Sequence, residues 1–354
     1  MKGVFIISSL LMLLQCINSQ GIKFKALADR INAIRRTNKA SWRARSTSRF
    51  ELSEIRVKSL VGKNTSVSKK HPKFKEWSKE EIVKASDKPT AGRRLQSEVL
   101  PESLDLRQKF SSCWSFGYVR DQSGCGSCWA VAASSVLSDG YCFKYSKSGF
   151  VRQRSFSAQD SLENCPNEIC LHEGNGCNGG ILNGVFEFAK LNGIVTGENY
   201  ANFTNCKPYF LPPNQFAESP PVASHECADP TVFRKAYDQD QLKIYDYNFV
   251  GGVDLQEKVL NMKQSLNFGF SLLTYFEVYE DFLVYASGVY VVTPDSPLIG
   301  GHGLVIVGYG IENGIPYWLC RNTWGVFWGD RGFVKVRQGT DEGKIESLVM
   351  EVYL

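Results

Sequence analysis

Apolar and polar positions divide the chain into an apolar start, a charged N-terminal part and a longer part with the composition of a packed core. The apolar run Val4–Leu14 is too short to span a membrane, and the small residue Ser19 follows it, as at signal-peptide cleavage sites. We predict a signal peptide over 1–19, with a buried N-terminal strand as the alternative. No later stretch approaches about 18 apolar residues, so no transmembrane segment is expected.

Residues 20–99 combine a helical pattern with a long polar stretch. Residues 62–99 are rich in Lys, Ser and Thr and offer little to a core, which predicts a protease-accessible linker. At Leu100-Pro101 cysteines, glycines and aromatic residues become dense, and we place the main domain boundary there. Before the linker, apolar residues recur at roughly helical spacing: Leu27, Ile31, Ile34 and Ile55.

Two patterns in the C-terminal part predict a helix and a hairpin. The segment Val131–Leu137 has the composition of a helix. The apolar runs Leu304–Val307 and Tyr317–Arg321 predict strands, and Asn313-Gly314 between them is a strong hairpin-turn signal.

Charge is distributed unevenly, although the formal net charge is only +5. Residues 1–99 carry 22 Lys and Arg against 8 Asp and Glu, whereas residues 100–354 carry 19 against 28. The N-terminal part is therefore +14 and the rest is −9. Three explanations are open at this point: a nucleic-acid-binding tail, two parts of one chain that attract each other, or unrelated surface charge.

The cysteines indicate an oxidising compartment. Of the 11 cysteines, Cys16 lies in the predicted signal peptide and the others fall in the acidic part. In a secreted chain such a set predicts a disulfide framework. Zinc is the alternative, but the pair formed by Cys125 and Cys128 has no second Cys-x-x-Cys or nearby histidine pair to complete a tetrahedral site, so no metal is expected.

The segment before the predicted helix carries a candidate nucleophile. Cys128 falls at or near the helix N-terminus, where the helix dipole and the backbone amides favour negative charge. A thiol in that place ionises more readily, and the thiolate is the reactive form. Gln122, six residues upstream, has a side-chain amide that can donate to an oxyanion.

A nucleophile needs a base, and one of the four histidines is well placed. His302 lies between glycines at the start of a predicted strand, from which it can reach a thiol on a facing helix or strand. Asn322, at the end of the next strand, can orient the imidazole, and Trp324 and Trp328 can shield that bond from water. Each feature alone has a simpler explanation in a turn, in packing or in a disulfide. Their joint occurrence in the order Gln, Cys, His, Asn favours catalysis.

These motifs resemble those of the papain-like cysteine proteases. The resemblance covers nearly all of 100–354, and within the family the chain is most similar to the cathepsin B group. Residues 31–61 resemble the short propeptide of that group. His302 also follows Cys128 at more than the roughly 130–150 residues expected of papain. The matching motifs are Cys125-Gly126-Ser127-Cys128-Trp129, Cys177-Asn178-Gly179-Gly180, Gly301-His302 and Asn322-Thr323-Trp324-Gly325.

The resemblance implies a fold class and a set of roles. The expected class is α+β, a two-lobed papain-like fold whose helical lobe and antiparallel β-barrel-like lobe enclose a cleft, preceded by a propeptide over 20–99. Cys128 becomes the nucleophile and His302 its acid and base, with a thiolate–imidazolium pair as the resting state. Asn322 orients the imidazole, and Gln122 donates to the oxyanion. The residues implied in substrate binding are Gly179, Gly180, Trp324, Trp328 and Leu348.

Three departures from cathepsin B bear on specificity and on the free thiols. Residues 212–221 are shorter than its insertion and lack the two adjacent histidines and the disulfide, which predicts an open cleft and an endopeptidase without dipeptidyl-carboxypeptidase activity. Leu348 stands where cathepsin B has a glutamate at the pocket floor, so apolar or aromatic P2 residues are expected over arginine. Cys320 is expected to be a buried free cysteine.

The resemblance also implies a disulfide pattern that spacing alone could not give. It leaves Cys128 and Cys320 free, as a nucleophile requires. Asn64 and Asn202 are glycosylation acceptors by their sequence pattern. The implied pairs are Cys113–Cys142, Cys125–Cys177, Cys165–Cys170 and Cys206–Cys227.

The resemblance gives the charge split a functional interpretation. A propeptide of +14 on a protease of −9 is held in part by electrostatics, and acidification weakens that attraction by protonating carboxylates. We predict activation at low pH, with cleavage within 85–99 near Arg93-Arg94. The expected partners are protein or peptide substrates, the chain's own propeptide and cystatin-like inhibitors, with no cofactor and a monomeric state.

Three other classes of protein were weighed against a protease. An inactive relative acting as a secreted binding protein is disfavoured by the intact catalytic set, and a disulfide-rich structural protein by the unpaired Cys128. A nucleic-acid binder is disfavoured by the predicted signal peptide. We expect the secretory pathway, with a lysosome-like vacuole or the extracellular space as the destination.

Overall fold

The computed structural model describes residues 24–34, 41–45, 60–61, 99–146, 152–171 and 175–354. The predicted signal peptide, Ile55, Asn64 and the predicted cleavage site at Arg93-Arg94 lie outside the described residues. Before the predicted domain boundary, residues 24–34 form helix α1 and Trp42–Ala44 form strand β1.

Helices and strands are partly segregated along the rest of the chain. The helices are α2 (Leu106–Lys109), α3 (Cys128–Ser146), α4 (Ala158–Asn164), α5 (Asn167–Cys170), α6 (Leu182–Leu191), α7 (Tyr237–Asp240) and α8 (Leu255–Phe268). The strands are β2 (Leu104–Asp105), β3 (Asp246–Phe249), β4 (Leu272–Tyr279), β5 (Tyr285–Tyr290), β6 (Leu298–Glu312), β7 (Ile315–Arg321), β8 (Phe333–Arg337) and β9 (Val349–Tyr353). Short 3₁₀ turns occupy Trp114–Gly117, Glu280–Val284 and Glu342–Lys344.

Helix α3 is the central helix and is buried on nearly all sides. Two of its serine hydroxyls are satisfied within the helix: the Ser135 hydroxyl donates to the Val131 carbonyl and the Ser138 hydroxyl to the Ser134 carbonyl, both at 2.7 Å. Serines bonded to the helix backbone in this way can be buried in the core. This confirms the predicted helix, which begins at Cys128.

The sheet separates two hydrophobic cores. Its strand order is β1-β5-β8-β7-β6-β4-β9-β3, with β2 paired to β6. Along β6 the side chains alternate, with Leu304 and Ile306 in one core and Val305 and Val307 in the core shared with α3. All pairs are antiparallel except β5 and β8, so the sheet is mixed rather than wholly antiparallel as expected.

Local sequence rules and covalent links fix the remaining connections. Strands β6 and β7 are joined by Asn313 and Gly314 at φ 51° and 78°, which confirms the predicted hairpin turn. The disulfides join Cys113 to Cys142, Cys125 to Cys177, Cys165 to Cys170 and Cys206 to Cys227, the pairs that the resemblance implied.

Within the described ranges, no helix is long and apolar enough to cross a bilayer, and no group of His, Cys, Asp or Glu is arranged to hold a metal ion.

Candidate active site

Cys128 is the first residue of α3 and carries one of the two buried thiols of the described chain that form no disulfide. The turn before it is held by the disulfide from Cys125 to Cys177 and by the Gly126 amide, which donates to the Cys177 carbonyl at 2.7 Å. The Ser127 carbonyl accepts from the amide of Val131 at 3.0 Å, so the helix starts abruptly beneath the thiol. This is the helix N-terminus that the sequence predicted.

The second buried free thiol has different surroundings. Cys320 lies on β7, where burial raises the pKa of its thiol. A protonated, fully buried thiol is a poor nucleophile. Cys320 therefore has the buried, free character that the sequence predicted.

His302 on β6 and Asn322 directly after β7 form a hydrogen-bonded pair. Asn322 follows β7 directly, and its Oδ1 lies 2.8 Å from His302 Nε2. The same Oδ1 accepts from the Thr323 backbone amide at 2.7 Å, which identifies it as the oxygen and makes His302 Nε2 the donor. In the neutral ring the other nitrogen, Nδ1, is then a proton acceptor. Among the described residues Nδ1 has no hydrogen-bond partner.

His302 lies inside β6 rather than at its start, so that detail of the sequence prediction is wrong. Gly300 and Gly301 continue the ladder opposite Val278 and Glu277, so β6 begins before the histidine. The next residue, Gly303, lies against α3: a Cβ there would lie 3.1 Å from the Cys128 carbonyl oxygen. The strand that carries His302 thus touches the helix at the residue that carries the thiol.

Trp324 packs on His302, and Trp328 packs on Trp324. The Trp324 ring lies 4.7 Å from the His302 ring between centroids, and Trp328 stands edge-on to Trp324 at 5.2 Å. Trp328 is only 1% exposed, and its indole N–H donates to the Leu283 carbonyl at 3.2 Å. Trp328 is therefore covered in this form of the chain, and the shielding of the His302–Asn322 bond by the two rings stays a prediction.

Burial sets the protonation state of His302. It lowers the pKa of His302 to about 4, and the hydrogen bond with Asn322 acts in the opposite direction. The imidazole in this covered state is therefore neutral at pH 7. The thiolate–imidazolium resting state remains a prediction for the uncovered site.

Gln122 connects the turn before the thiol to the segment after Asn322. Its Nε2 donates to the Cys125 carbonyl at 2.8 Å, and its Oε1 accepts from the Thr323 hydroxyl at 2.6 Å. The Thr323 hydroxyl therefore orients the amide so that Nε2 faces the turn. Sequence analysis did not identify Thr323 in this role, because its hydroxyl and Gln122 come together only in the folded chain.

The N-terminal part covers this site through backbone groups. The Leu60 carbonyl accepts from Gln122 Nε2 at 3.2 Å and from the Trp324 indole at 3.1 Å, and both Leu60 and Val61 are buried. Sequence analysis also missed Leu60, since a backbone carbonyl leaves no signal in the residue type. One of the two side chains that bind this carbonyl is the candidate oxyanion donor.

A second contact anchors the N-terminal part to the sheet. Strand β1 pairs with β5, and the Trp42 indole donates to the Val291 carbonyl at 2.8 Å. The Trp42 ring lies 5.8 Å from Tyr285 and 5.2 Å from Tyr290 between centroids. Asn32 of α1 bonds both backbone groups of Ala44 in β1, which ties the helix to the strand.

The predicted pocket residue Leu348 directly precedes β9 and is bonded to β4. Its carbonyl accepts from the Tyr275 amide and the Thr274 hydroxyl, each at 3.2 Å, and its side chain is half-buried. Burial raises the pKa of Tyr275, and the neighbouring Glu277 and Cys128 act in the same direction. The backbone hydrogen bond to Tyr275 on β4 thus fixes the position of Leu348, which the sequence did not indicate.

The predicted glycine pair lies against the first turn of α3, and the shortened loop lies against the turn that precedes this helix. A Cβ at Gly180 would lie 2.5 Å from the Trp129 ring, and Gly179 has φ 107°, so neither position accepts a side chain without strain. In the loop over 212–221, the Gln215 carbonyl accepts from the Gly124 amide at 2.8 Å. This hydrogen bond holds the loop beside the turn that precedes the thiol.

The chain is similar to known proteins over most of its length. A family profile described as "Papain family cysteine protease" matches residues 100–353. The chain is 38% identical over 264 residues to "Cathepsin B-like cysteine proteinase 6" of Caenorhabditis elegans, a match that spans 71% of this chain and 66% of that relative. It is 32% identical over 328 residues to "Cathepsin B-like cysteine proteinase 3" of the same organism, spanning 92% and 81%.

Solved structures show the same similarity in three dimensions. "proCathepsin B S9 from Trypanosoma congolense" matches with a TM-score of 0.71 at 27% identity, covering 93% of this chain and 97% of that one. "Structure of digestive procathepsin L 3 of Tenebrio molitor larval midgut" matches with a TM-score of 0.66 at 17% identity, which supports the fold alone. Both of these proteins are procathepsins by name.

Proposed function

Because this chain belongs to the papain family of cysteine proteases, we propose that it is a cysteine endopeptidase with Cys128 as nucleophile and His302 as acid and base. The observation that carries the proposal is the hydrogen bond from His302 Nε2 to Asn322, which leaves Nδ1 as a proton acceptor. An intact base of this kind, on a strand that touches the start of α3, favours an active enzyme over an inactive binding protein.

The proposed reaction uses these groups in order. The Cys128 thiol gives its proton to His302 Nδ1, and the sulfur attacks the peptide carbonyl carbon. Gln122 Nε2 and the Cys128 backbone N–H donate to the resulting oxyanion. The intermediate collapses to an acyl-enzyme as the leaving amine takes the proton from His302. Water then attacks the acyl group, with His302 as base, and restores the thiol.

We further propose that the chain is made as an inactive proenzyme, with a signal peptide over 1–19, a propeptide over 20–99 and a peptidase domain over 100–354. Support comes from the Leu60 carbonyl, which occupies the Gln122 amide proposed to bind the oxyanion. A donor already bound to the propeptide cannot stabilise a transition state. The proposed destination, a lysosome-like vacuole or the exterior, follows from the predicted signal peptide.

Specificity is proposed to follow from an open cleft and an apolar pocket floor. The loop over 212–221 is held at Gly124, and it lacks the histidines that bind a C-terminal carboxylate in cathepsin B. Leu348 offers no charge to a P2 arginine, and burying an unpaired charge is costly. The enzyme should therefore cut within chains. The cleaved bond should follow the P1 residue that comes directly after an apolar or aromatic P2 residue.

A peptide series tests this proposed function. The activated enzyme is expected to cleave internally quenched peptides with blocked C-termini, to prefer P2 Leu or Phe to Arg, and to release no C-terminal dipeptides. Leu348→Glu is expected to raise kcat/KM for P2 Arg by about 10- to 100-fold, since a hydrogen bond to a charged group contributes about 1.5–3 kcal/mol. Leu348→Met serves as the control and should keep the wild-type preference. Rapid dipeptide release, or a wild-type preference for Arg, would contradict the proposal.

Acid release of the propeptide is proposed to depend on the charge split and, where no thiolate pairs with the imidazole, also on His302. In Cys128→Ala, which cannot form the thiolate–imidazolium pair, the pKa of His302 is about 4 in the covered form and returns towards its ordinary value of about 6.5 when the cleft is open. The open form therefore takes up a proton that the covered form cannot hold. The covered form loses stability relative to the open form as the pH falls from about 6.5 to about 4.

Propeptide binding in trans tests this account. The affinity of a separate 20–99 segment for the 100–354 domain carrying Cys128→Ala is expected to weaken between pH 7 and pH 4, and to weaken further with salt. Isothermal titration at several pH values measures it. With His302→Gln added, the part of the pH dependence due to the imidazole should disappear and the salt dependence should remain. An affinity independent of both pH and salt would rule the account out.

A further inference from the structure

A buried ion pair connects the two elements that carry the proposed catalytic residues. Arg321 Nη2 lies 2.7 Å from Asp139 Oδ2, and the two side chains are 2% and 0% exposed. The Ser271 hydroxyl donates to the same Asp139 oxygen at 2.8 Å, and Arg321 Nη1 donates to the Ser115 carbonyl. Four separate segments of the chain therefore meet at the Arg321–Asp139 pair, which we call the buried clamp.

The buried clamp has a defined position relative to the candidate active site. Arg321 is the last residue of β7, and its backbone leads directly into Asn322. Asp139 lies three turns, about 16 Å, along α3 from Cys128. The helix that begins with the nucleophile is thereby bonded to the strand that ends at the orienting amide.

A contribution to folding stability does not by itself account for the Arg321–Asp139 ion pair. Removing two charges from water is costly, and apolar residues of similar volume often give equal or greater stability. An ion pair adds direction, because the planar guanidinium bonds a carboxylate in a fixed geometry. The second bond, to the Ser115 carbonyl, restricts the guanidinium further. The end of β7 is therefore fixed in orientation as well as in position.

We propose that Arg321 and Asp139 are positioning residues that align the Asn322–His302 pair with Cys128. The inference rests on the catalytic roles proposed above. Asn322 Oδ1 must accept from His302 Nε2 at 2.8 Å and from the Thr323 amide at 2.7 Å at the same time, so a small shift of β7 breaks one of these bonds. A misplacement of about 1 Å at a catalytic group can cost about 10²-fold in rate.

The double variant Arg321→Met/Asp139→Leu separates alignment from stability. It removes both charges and leaves none unpaired, and methionine is close to arginine in volume, so we expect a thermal midpoint lowered only by the larger leucine at position 139. We expect kcat to fall by about 10- to 100-fold with KM nearly unchanged. The alkaline limb of the kcat/KM profile should move to lower pH, because a displaced Asn322 supports the imidazolium less well.

Lys207→Met is the matched control. Lys207 is also a buried cation, but its partners are Glu163, Asp160 and the Ser224 carbonyl, none of which belongs to the proposed catalytic set. It should lower stability and leave kcat and the pH profile of the folded enzyme unchanged. A double variant with wild-type kcat and pH profile would overturn the inference.

Arg321→Lys keeps the inference testable if the double variant fails to fold. Lysine keeps the charge beside Asp139 but cannot bond both Asp139 and Ser115 in the same fixed geometry. We expect kcat between those of the wild type and the double variant, with the same direction of pH shift, and wild-type values would overturn the proposal. An inactive wild type would contradict the proposed function itself, which is a different outcome from an active wild type with equally active variants.

Discussion

Cys128→Ala is expected to lower kcat by at least about 10⁴-fold, since loss of the nucleophile in a serine protease costs about 10⁶-fold. Cys128 starts α3 with a thiol that forms no disulfide, and its carbonyl lies against the residue that follows His302. Without the sulfur no acyl-enzyme forms. Initial rates on a fluorogenic peptide measure the loss, after an added protease has removed the propeptide that the variant cannot process itself.

The control uses the other free thiol. An epoxide that traps active cysteines should label the activated wild type at Cys128, and the label should vanish in Cys128→Ala. Cys320→Ala should keep both the label and the activity, because burial raises the pKa of the Cys320 thiol and keeps it protonated. A label on Cys320, or activity in Cys128→Ala, would contradict the assignment. A wild type with neither label nor activity would favour an inactive relative.

Gln122→Ala is expected to lower kcat by about 10²- to 10³-fold with little change in KM, the usual cost of removing one oxyanion donor. The amide is buried, and the Thr323 hydroxyl fixes its orientation through Oε1. The donor is therefore preorganised and needs no rearrangement when charge develops on the substrate oxygen. Steady-state kinetics on a peptide substrate, with epoxide labelling to count active sites, measures the effect.

Two further variants sharpen this test. Gln122→Glu keeps the size of the side chain but replaces the donor by a carboxylate, so its loss should equal or exceed that of alanine. Thr323→Val removes only the hydroxyl that orients the amide and should give a smaller loss of kcat.

Gln122→Ala should also weaken inhibition by a separate propeptide, because the Leu60 carbonyl loses one of its two hydrogen-bond donors. A kcat of Gln122→Ala within about 3-fold of the wild type would contradict the oxyanion role.

The family and the mixed α and β architecture could be predicted from short motifs, and both predictions are confirmed. Cys128 does begin a helix and Asn322 does follow a strand, because capping, turn and periodicity rules act over a few residues. The Asn313-Gly314 turn follows from the same local chemistry. The error over His302, which lies within β6, arose because paired glycines look like a strand end when their partner strand is unknown.

The charge split shows the limit of composition. The described contacts of the N-terminal part are largely backbone pairing and apolar packing, with β1 on β5 and Trp42 against Tyr285 and Tyr290. Net charge indicates attraction between two parts of a chain but not the surface on which they meet. The electrostatic part of acid release therefore stays a prediction, tested by the salt dependence above.

The sequence by itself determined the family, the helix that starts at Cys128, the hairpin that brings Asn322 close to His302, and the identity of the four candidate catalytic side chains. Only the tertiary structure decided the tautomer of His302, the engagement of Gln122 by the Leu60 carbonyl, and the ion pair between Arg321 and Asp139. The physical reason is that the first group of features depends on neighbours within a few residues. The second group depends on backbone carbonyls and buried charges brought together from distant parts of the chain.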